Sequence, residues 1–199
     1  MNPLGRLALV LASSSPWRRE LLHHAGVPCD VVAPRVDEER IRAEDPVSLA
    51  LARARAKARE VSHRYPGRMV LGADQVVHLD GRVFGKPKEL EVWREQLQAL
   101  RGRTHELTTG CCLVAPDGVE QGWHETTRVT FRSDLTASDL DDYLGTGEGL
   151  ECAGGYQVER RGAWLIERLD GDWFNVVGLP VLSVVGRLRQ AGWTLDGAG

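Results

Sequence analysis

The sequence is short of basic charge, of paired cysteines and of long apolar runs. Its 25 lysines and arginines are outnumbered by 28 acidic residues, a formal net charge of −3. General nucleic-acid binding wants a basic surplus on one face, so that class of partner is disfavoured. A compact anionic ligand gathered by a few cations in one cleft stays open. The four cysteines, Cys29, Cys111, Cys112 and Cys152, form no C-x-x-C pair and no Cys/His spacing of the zinc type. They read as reduced core thiols, with Cys111 and Cys112 on opposite faces of a strand. No stretch nears the roughly 18 apolar residues of a membrane span, and the first ten residues read as a strand rather than a signal. The expectation is a cytoplasmic protein with no membrane partner. The six histidines show no ligand spacing, and no Ser/His/Asp pattern stands out.

What is there is an ordinary globular balance over 199 residues, 42% hydrophobic and 27% charged. Apolar runs alternate with helix-period segments, which predicts an α/β fold. Strands are expected at 7–12, 31–33, 69–79, 82–84, 106–115, 120–132 and 163–169. Helices are expected at 17–25, 46–63, 90–100, 137–144 and 182–190. Gly26 suits the left-handed position after the first helix, Pro46 the first turn of the long one, and Asp80-Gly81 a hairpin turn. Two long antiparallel strands amid helices indicate a mixed sheet. One domain over 1–195, two lobes around one cleft, accounts for the chain, with 196–199 as a frayed tail.

Three segments carry candidate chemistry. Ser13-Ser14-Ser15-Pro16-Trp17-Arg18-Arg19 follows the first strand and opens a helix, where free backbone N–H groups gather. Two arginines in a first helical turn oppose the helix dipole by about 0.3–1 kcal/mol each. A bound anion such as phosphate would turn that conflict into a site; a solvated surface pair is the plain alternative. Asp74 interrupts an otherwise apolar strand in Gly72-Ala73-Asp74-Gln75-Val76-Val77. It is a metal ligand, a general base, or a charge satisfied at a strand end. Gly85-Lys86-Pro87 fixes one lysine that can hold a point charge near phosphate oxygens. The acidic run Asp37-Glu38-Glu39 reads as solvated or as a source of Mg²⁺ ligands. Lys57, on the long helix, reads by default as solvated.

In this order and spacing the segments resemble the Maf family of nucleoside triphosphate pyrophosphatases. The matching stretches are LASSSPWRRELL (11–22), VDE (36–38), LGADQVV (71–77), GKP (85–87), HELTTG (105–110), ECAGGYQVE (151–159) and NVVGLP (175–180). The resemblance implies an inosine-triphosphatase-like fold, an elongated mixed sheet flanked by helices with a central cleft, and a homodimer. It implies a proton-accepting role for Asp74, triphosphate contacts from Arg18, Lys57 and Lys86, and a phosphate-binding loop at Ser13, Ser14 and Ser15. It also implies a divalent cation (Mg, Mn or Co) near Glu38 and Asp74. Ala52 and Ala56 depart from the pattern, standing where many relatives have Arg and Glu.

Within that family the chain is similar to the 7-methyl-GTP branch at Trp17, Gln75 and Glu159, where the dTTP/UTP branch has Arg, Thr and Gln. A 7-methylguanine base carries positive charge, which an indole face attracts and a guanidinium repels. A carboxylate accepts from the guanine N1–H and amine about twice as strongly as a neutral group. The resulting expectation is hydrolysis of 7-methyl-GTP to the monophosphate and diphosphate. A dTTP/UTP or broad-specificity pyrophosphatase is the alternative, and a regulatory protein of cell division is the alternative of another class.

Overall fold

The computed structural model describes residues 9–194 and 197–198. Nine strands and six helices follow in chain order among the described residues: β1 Leu9–Ala12, α1 Pro16–His24, β2 Cys29–Val32, α2 Pro46–Arg64, β3 Val70–Leu79, β4 Arg82–Phe84, α3 Leu90–Leu100, β5 Thr104–Val114, β6 Glu120–Phe131, α4 Ala137–Leu144, β7 Ile166–Asp170, α5 Trp173–Val177, α6 Val181–Gln190, β8 Trp193–Thr194 and β9 Gly197–Ala198. Single 3₁₀ turns stand at Glu38–Arg40, Ala153–Gly155 and Arg161–Leu165.

Local chemistry explains most boundaries. The Asp45 carboxylate caps α2 by accepting from the Ser48 amide at 2.9 Å, and Pro46 follows at the first helical position. Thr136 and Asp139 form a reciprocal capping box on α4. Gly26 takes φ 71° after α1, and Asp80 (φ 50°) with Gly81 (φ 80°) turns β3 into β4.

The main sheet runs in the order β2-β1-β3-β5-β6-β7, with β4 hydrogen-bonded to β3. β1 pairs parallel with β2 and β3, and the remaining pairs are antiparallel, so the sheet is mixed as expected. Side chains alternate across it. Val70, Cys112 and Val114 pack with Ala54, Ala58 and Val61 of α2. Leu71, Ala73 and Cys111 turn the other way, towards Leu22 of α1 and Val184 and Leu188 of α6. Cys111 and Cys112 therefore face opposite sides, and all four cysteines are free thiols.

Further along the sheet a separate cluster forms around Val77, Leu79, Leu107, Val129 and Phe131 with Trp93, Leu97 and Leu140. β3 thus runs from one core into the other, and Asp74 and Gln75 fall between them.

Three expectations change. The 163–169 strand starts later, at Ile166, because a 3₁₀ turn occupies 161–165. α5, only five residues long, was too short for helical periodicity to reveal. Gly197–Ala198 pairs with Trp193–Thr194 where a frayed end was expected. Leu7, Asp196 and Gly199, the remaining ends of those assignments, lie outside the described residues.

Candidate active site

A cleft of about 820 Å³ opens beside the middle of β3, at Asp74, Gln75 and Val76. Its walls come from the β1–α1 loop, the turn at 38–40, α2, the β4–α3 loop, the segment 151–159 and the end of α5. Ser13, Ser14, Ser15, Trp17, Arg18, Glu38, Lys57, Asp74, Gln75, Lys86 and Glu159 all line it. Segments spread over almost 150 positions of sequence meet in one place.

Asp74 is at the centre and is 6% exposed. Its Oδ1 accepts from Lys57 Nζ at 2.7 Å, and the same ammonium lies 2.8 Å from Glu38 Oε2. Lys57 is itself only 5% exposed, which corrects its default reading as a solvated lysine. It reaches inward because α2 lies directly on β3, and one ammonium bridges two carboxylates.

Burial raises the Asp74 pKa above the usual carboxylate value, against the opposing pull of the Lys57 and Arg18 charges. Glu38 moves the other way. Its partial burial would raise it, but the Lys57 charge and hydrogen bond, the Asp74 carboxyl and the Arg53 charge together bring it lower. Two neighbouring carboxyl groups are thus driven apart, the pattern by which one keeps a proton-accepting role near neutral pH.

The serine loop is braced from within. Ser13 Oγ accepts from the Ser15 amide at 3.1 Å and from Arg18 Nη1 at 3.3 Å, while Ser15 caps α1. Arg18 Nε donates to the Gly178 carbonyl at 2.9 Å, and Nη1 donates to the Ala73 carbonyl at 3.0 Å. Arg18 therefore joins the loop, the end of α5 and the strand of Asp74 while its charge stays in the cleft. Arg19, its neighbour, points to solvent.

The three residues expected to read the base differ in their freedom. Trp17 is half-buried and Glu159 is exposed at the cleft wall. The Gln75 amide is engaged, donating to the Asn175 carbonyl at 2.5 Å and to Thr109 Oγ1 at 3.2 Å. Asn175 is fully buried, and its Nδ2 donates to the Leu107 carbonyl and Thr127 Oγ1, both at 3.0 Å. Gln75 thereby ties α5 to the sheet beside the cleft. Lys86, on the β4–α3 loop, lies 3.7 Å from Glu151.

Residues 8–191 match the family described as Maf-like protein. The chain belongs to the Maf family. A dTTP/UTP pyrophosphatase of Symbiobacterium thermophilum is 45% identical over 96% of this chain and 98% of that protein. A dTTP/UTP pyrophosphatase of Moorella thermoacetica is 46% identical over 88% of this chain and 91% of its own length. Among solved structures, a HAM1 protein from Coxiella burnetii aligns with a TM-score of 0.48 at 13% identity, over 92% of this chain and 99% of that one.

Among the charged residues of the Maf cleft that sequence reasoning missed, Arg53 lies next to Asp74. Its Nη1 lies 3.7 Å from Asp74 Oδ2. The signal was available: Arg53 and Lys57 are four apart on α2 and so share a face. The Ala73 and Gly178 carbonyls that hold Arg18 carry no side-chain signature and were not legible.

The donor set of the Maf cleft fits a hard divalent cation. Asp74 Oδ2 is buried and has no hydrogen-bond partner, and Glu38 stands beside Asp74 across a shared ammonium. One or two carboxylates plus phosphate oxygens and water make the usual Mg²⁺ shell. Among the described residues no group of three or more His, Cys, Asp or Glu side chains forms a cage by itself. A cation here would draw its remaining ligands from the substrate.

Proposed function

We propose that this Maf-family chain is a nucleoside triphosphate pyrophosphatase whose cleft cuts the bond between the α- and β-phosphates. The observation that carries the reading is Asp74, a buried carboxylate with a raised pKa, ringed by Lys57, Arg53 and Arg18 in one anion-sized cleft. The class of reaction, hydrolysis of a nucleoside triphosphate anhydride, accords with the names of the relatives.

The chemistry follows from those groups. A water molecule attacks the α-phosphorus, its proton passes to Asp74, the bond to the α–β bridging oxygen breaks, and diphosphate leaves. The products are a nucleoside monophosphate and diphosphate. Lys57 and Lys86 supply positive charge near the phosphate oxygens, and Arg18 holds the serine loop against the strand of Asp74. A divalent cation held by Asp74 and Glu38 would neutralise phosphate charge as a Lewis acid.

For the base we favour 7-methyl-GTP. The support is Trp17 and Glu159 on the cleft wall, an aromatic face and a carboxylate suited to a cationic purine. The names of the relatives favour a second reading, dTTP and UTP. Overall identity tracks the fold, whereas base choice rests on a few side chains, which is why the wall residues are given more weight.

The test is diphosphate release from 7-methyl-GTP, GTP, dTTP, UTP and CTP with Mg²⁺, Mn²⁺ or Co²⁺ and with chelator. Metal-dependent turnover led by 7-methyl-GTP is expected. Turnover led by dTTP or UTP would transfer the base assignment to the second reading, and no turnover on any would remove the enzymatic one.

A further inference from the structure

Arg53 is the cation beside Asp74 whose guanidinium makes no close contact. Lys57 makes two close contacts, to Asp74 and Glu38, and Arg18 gives Nε and Nη1 to backbone carbonyls. The Arg53 Nη1 lies 3.7 Å from Asp74 Oδ2, which is beyond hydrogen-bonding distance. The Arg53 Nε is buried without any hydrogen-bond partner, and so is Asp74 Oδ2. The side chain is 22% exposed and lines the cleft.

Buried polar groups are nearly always hydrogen-bonded, and each exception in a folded protein calls for a reason. Here two exceptions, Arg53 Nε and Asp74 Oδ2, belong to neighbouring side chains whose nearest approach, Nη1 to Oδ2, is 3.7 Å. α2 is alanine-rich around it, with Ala52, Ala54 and Ala56, and the close contacts of Asp74 and Glu38 are already made by Lys57. A planar fork of N–H donors with free valence, beside the proton acceptor and open to a cleft, matches two oxygens of a phosphate.

We propose that Arg53 is a substrate-binding residue that takes two non-bridging oxygens of the α-phosphate. This rests on the reading of the cleft as a nucleotide pyrophosphatase site. The α-phosphate is singled out because the water that Asp74 deprotonates must lie against the α-phosphorus, and Arg53 sits on the free oxygen of Asp74. When the nucleotide enters, the guanidinium turns from Oδ2 to the phosphate. Oδ2 is then freed of the guanidinium, so one movement binds the substrate and uncovers the carboxylate.

The experiment measures kcat and KM, and calorimetric binding of the α,β-methylene analogue of the preferred triphosphate, in wild type, Arg53→Lys, Arg53→Gln and Arg53→Met. The matching nucleoside without phosphates serves as control. The expected result is analogue binding at least tenfold weaker in Arg53→Met and Arg53→Gln, an intermediate loss in Arg53→Lys, and unchanged binding of the nucleoside. Should Arg53→Met fail to fold, the lysine and glutamine pair decides alone. Analogue affinity within twofold of wild type in the folded variants would overturn the assignment, including the case where kcat falls because Asp74 is merely misplaced. A wild-type protein that neither binds nor hydrolyses any nucleoside triphosphate would instead overturn the enzymatic reading on which the proposal rests.

Discussion

Gly72 of β3 lies directly beneath Ala58 of α2: a Cβ placed on Gly72 would stand 2.8 Å from the Ala58 amide nitrogen and 2.9 Å from its Cβ. The helix therefore rests on the sheet backbone to backbone. Gly110 of β5 makes the same contact about two turns away, where a Cβ would stand 2.5 Å from the Ala50 carbonyl oxygen. This close approach brings Lys57, one residue before Ala58, within reach of Asp74, two residues after Gly72. Gly72→Ala forces α2 away from β3, and we expect a loss of about 1–3 kcal/mol or more, as for overpacked cores. Urea unfolding reads the stability. Turnover should fall with it, because the Lys57–Asp74 contact of 2.7 Å opens.

Asp74→Asn keeps the shape of the side chain and removes the proton acceptor. Lys57 retains Glu38 at 2.8 Å, so its charge is not orphaned and the fold should hold. Turnover is expected to drop by about 10²–10⁴, the usual scale for a general base. Near-normal kcat in a folded variant would remove Asp74 from the chemistry.

His105 gives a prediction about pH that does not involve the carboxylates of the cleft. Burial lowers its pKa to about 4, with the nearby His78 acting in the same direction. Its Nε2 shares a hydrogen with the Tyr156 hydroxyl at 2.8 Å. Below about 6.5 the unfolded chain takes up a proton on this ring that the folded chain refuses until about 4. Stability contributed by the neutral ring is therefore complete above the unfolded pKa and declines as pH falls through that window. Urea midpoints at pH 7 and pH 5 should show a loss from this residue of roughly 1–2 kcal/mol in wild type. His105→Gln should show a smaller loss over the same interval; an equal loss would place the effect elsewhere.

Most of the architecture was legible because its signals are local. The Pro46 start of α2, the Asp80-Gly81 turn and the Thr136 cap all lie within a few residues of what they control. The members of the cleft were legible as a set, since their motifs could be recognised in order. What each member touches was not. Lys57 looked solvated because a helix position says nothing of the strand beneath it, and that contact depends on two glycines elsewhere in the chain. Gln75, expected against the base, has its amide on Asn175 and Thr109. Both partners come from segments more than thirty positions away, which no local pattern predicts.

The wall residues Trp17 and Glu159 yield a specificity prediction. Trp17→Arg with Glu159→Gln replaces an aromatic face and a carboxylate by a guanidinium and a neutral amide. A cation held over an aromatic ring is worth about 0.5–2 kcal/mol. The ratio of kcat/KM for 7-methyl-GTP over dTTP should therefore fall by roughly 2- to 30-fold in the double variant. An unchanged ranking across the triphosphate panel would detach base choice from these two positions.

The central claim is attack by water at the α-phosphorus beside Asp74. Its most direct test is hydrolysis of the preferred nucleoside triphosphate in ¹⁸O-labelled water, with products resolved by mass spectrometry. The account predicts a nucleoside monophosphate carrying the label and an unlabelled diphosphate, with both lost in Asp74→Asn. Label in the diphosphate, or release of orthophosphate and a nucleoside diphosphate, would contradict it.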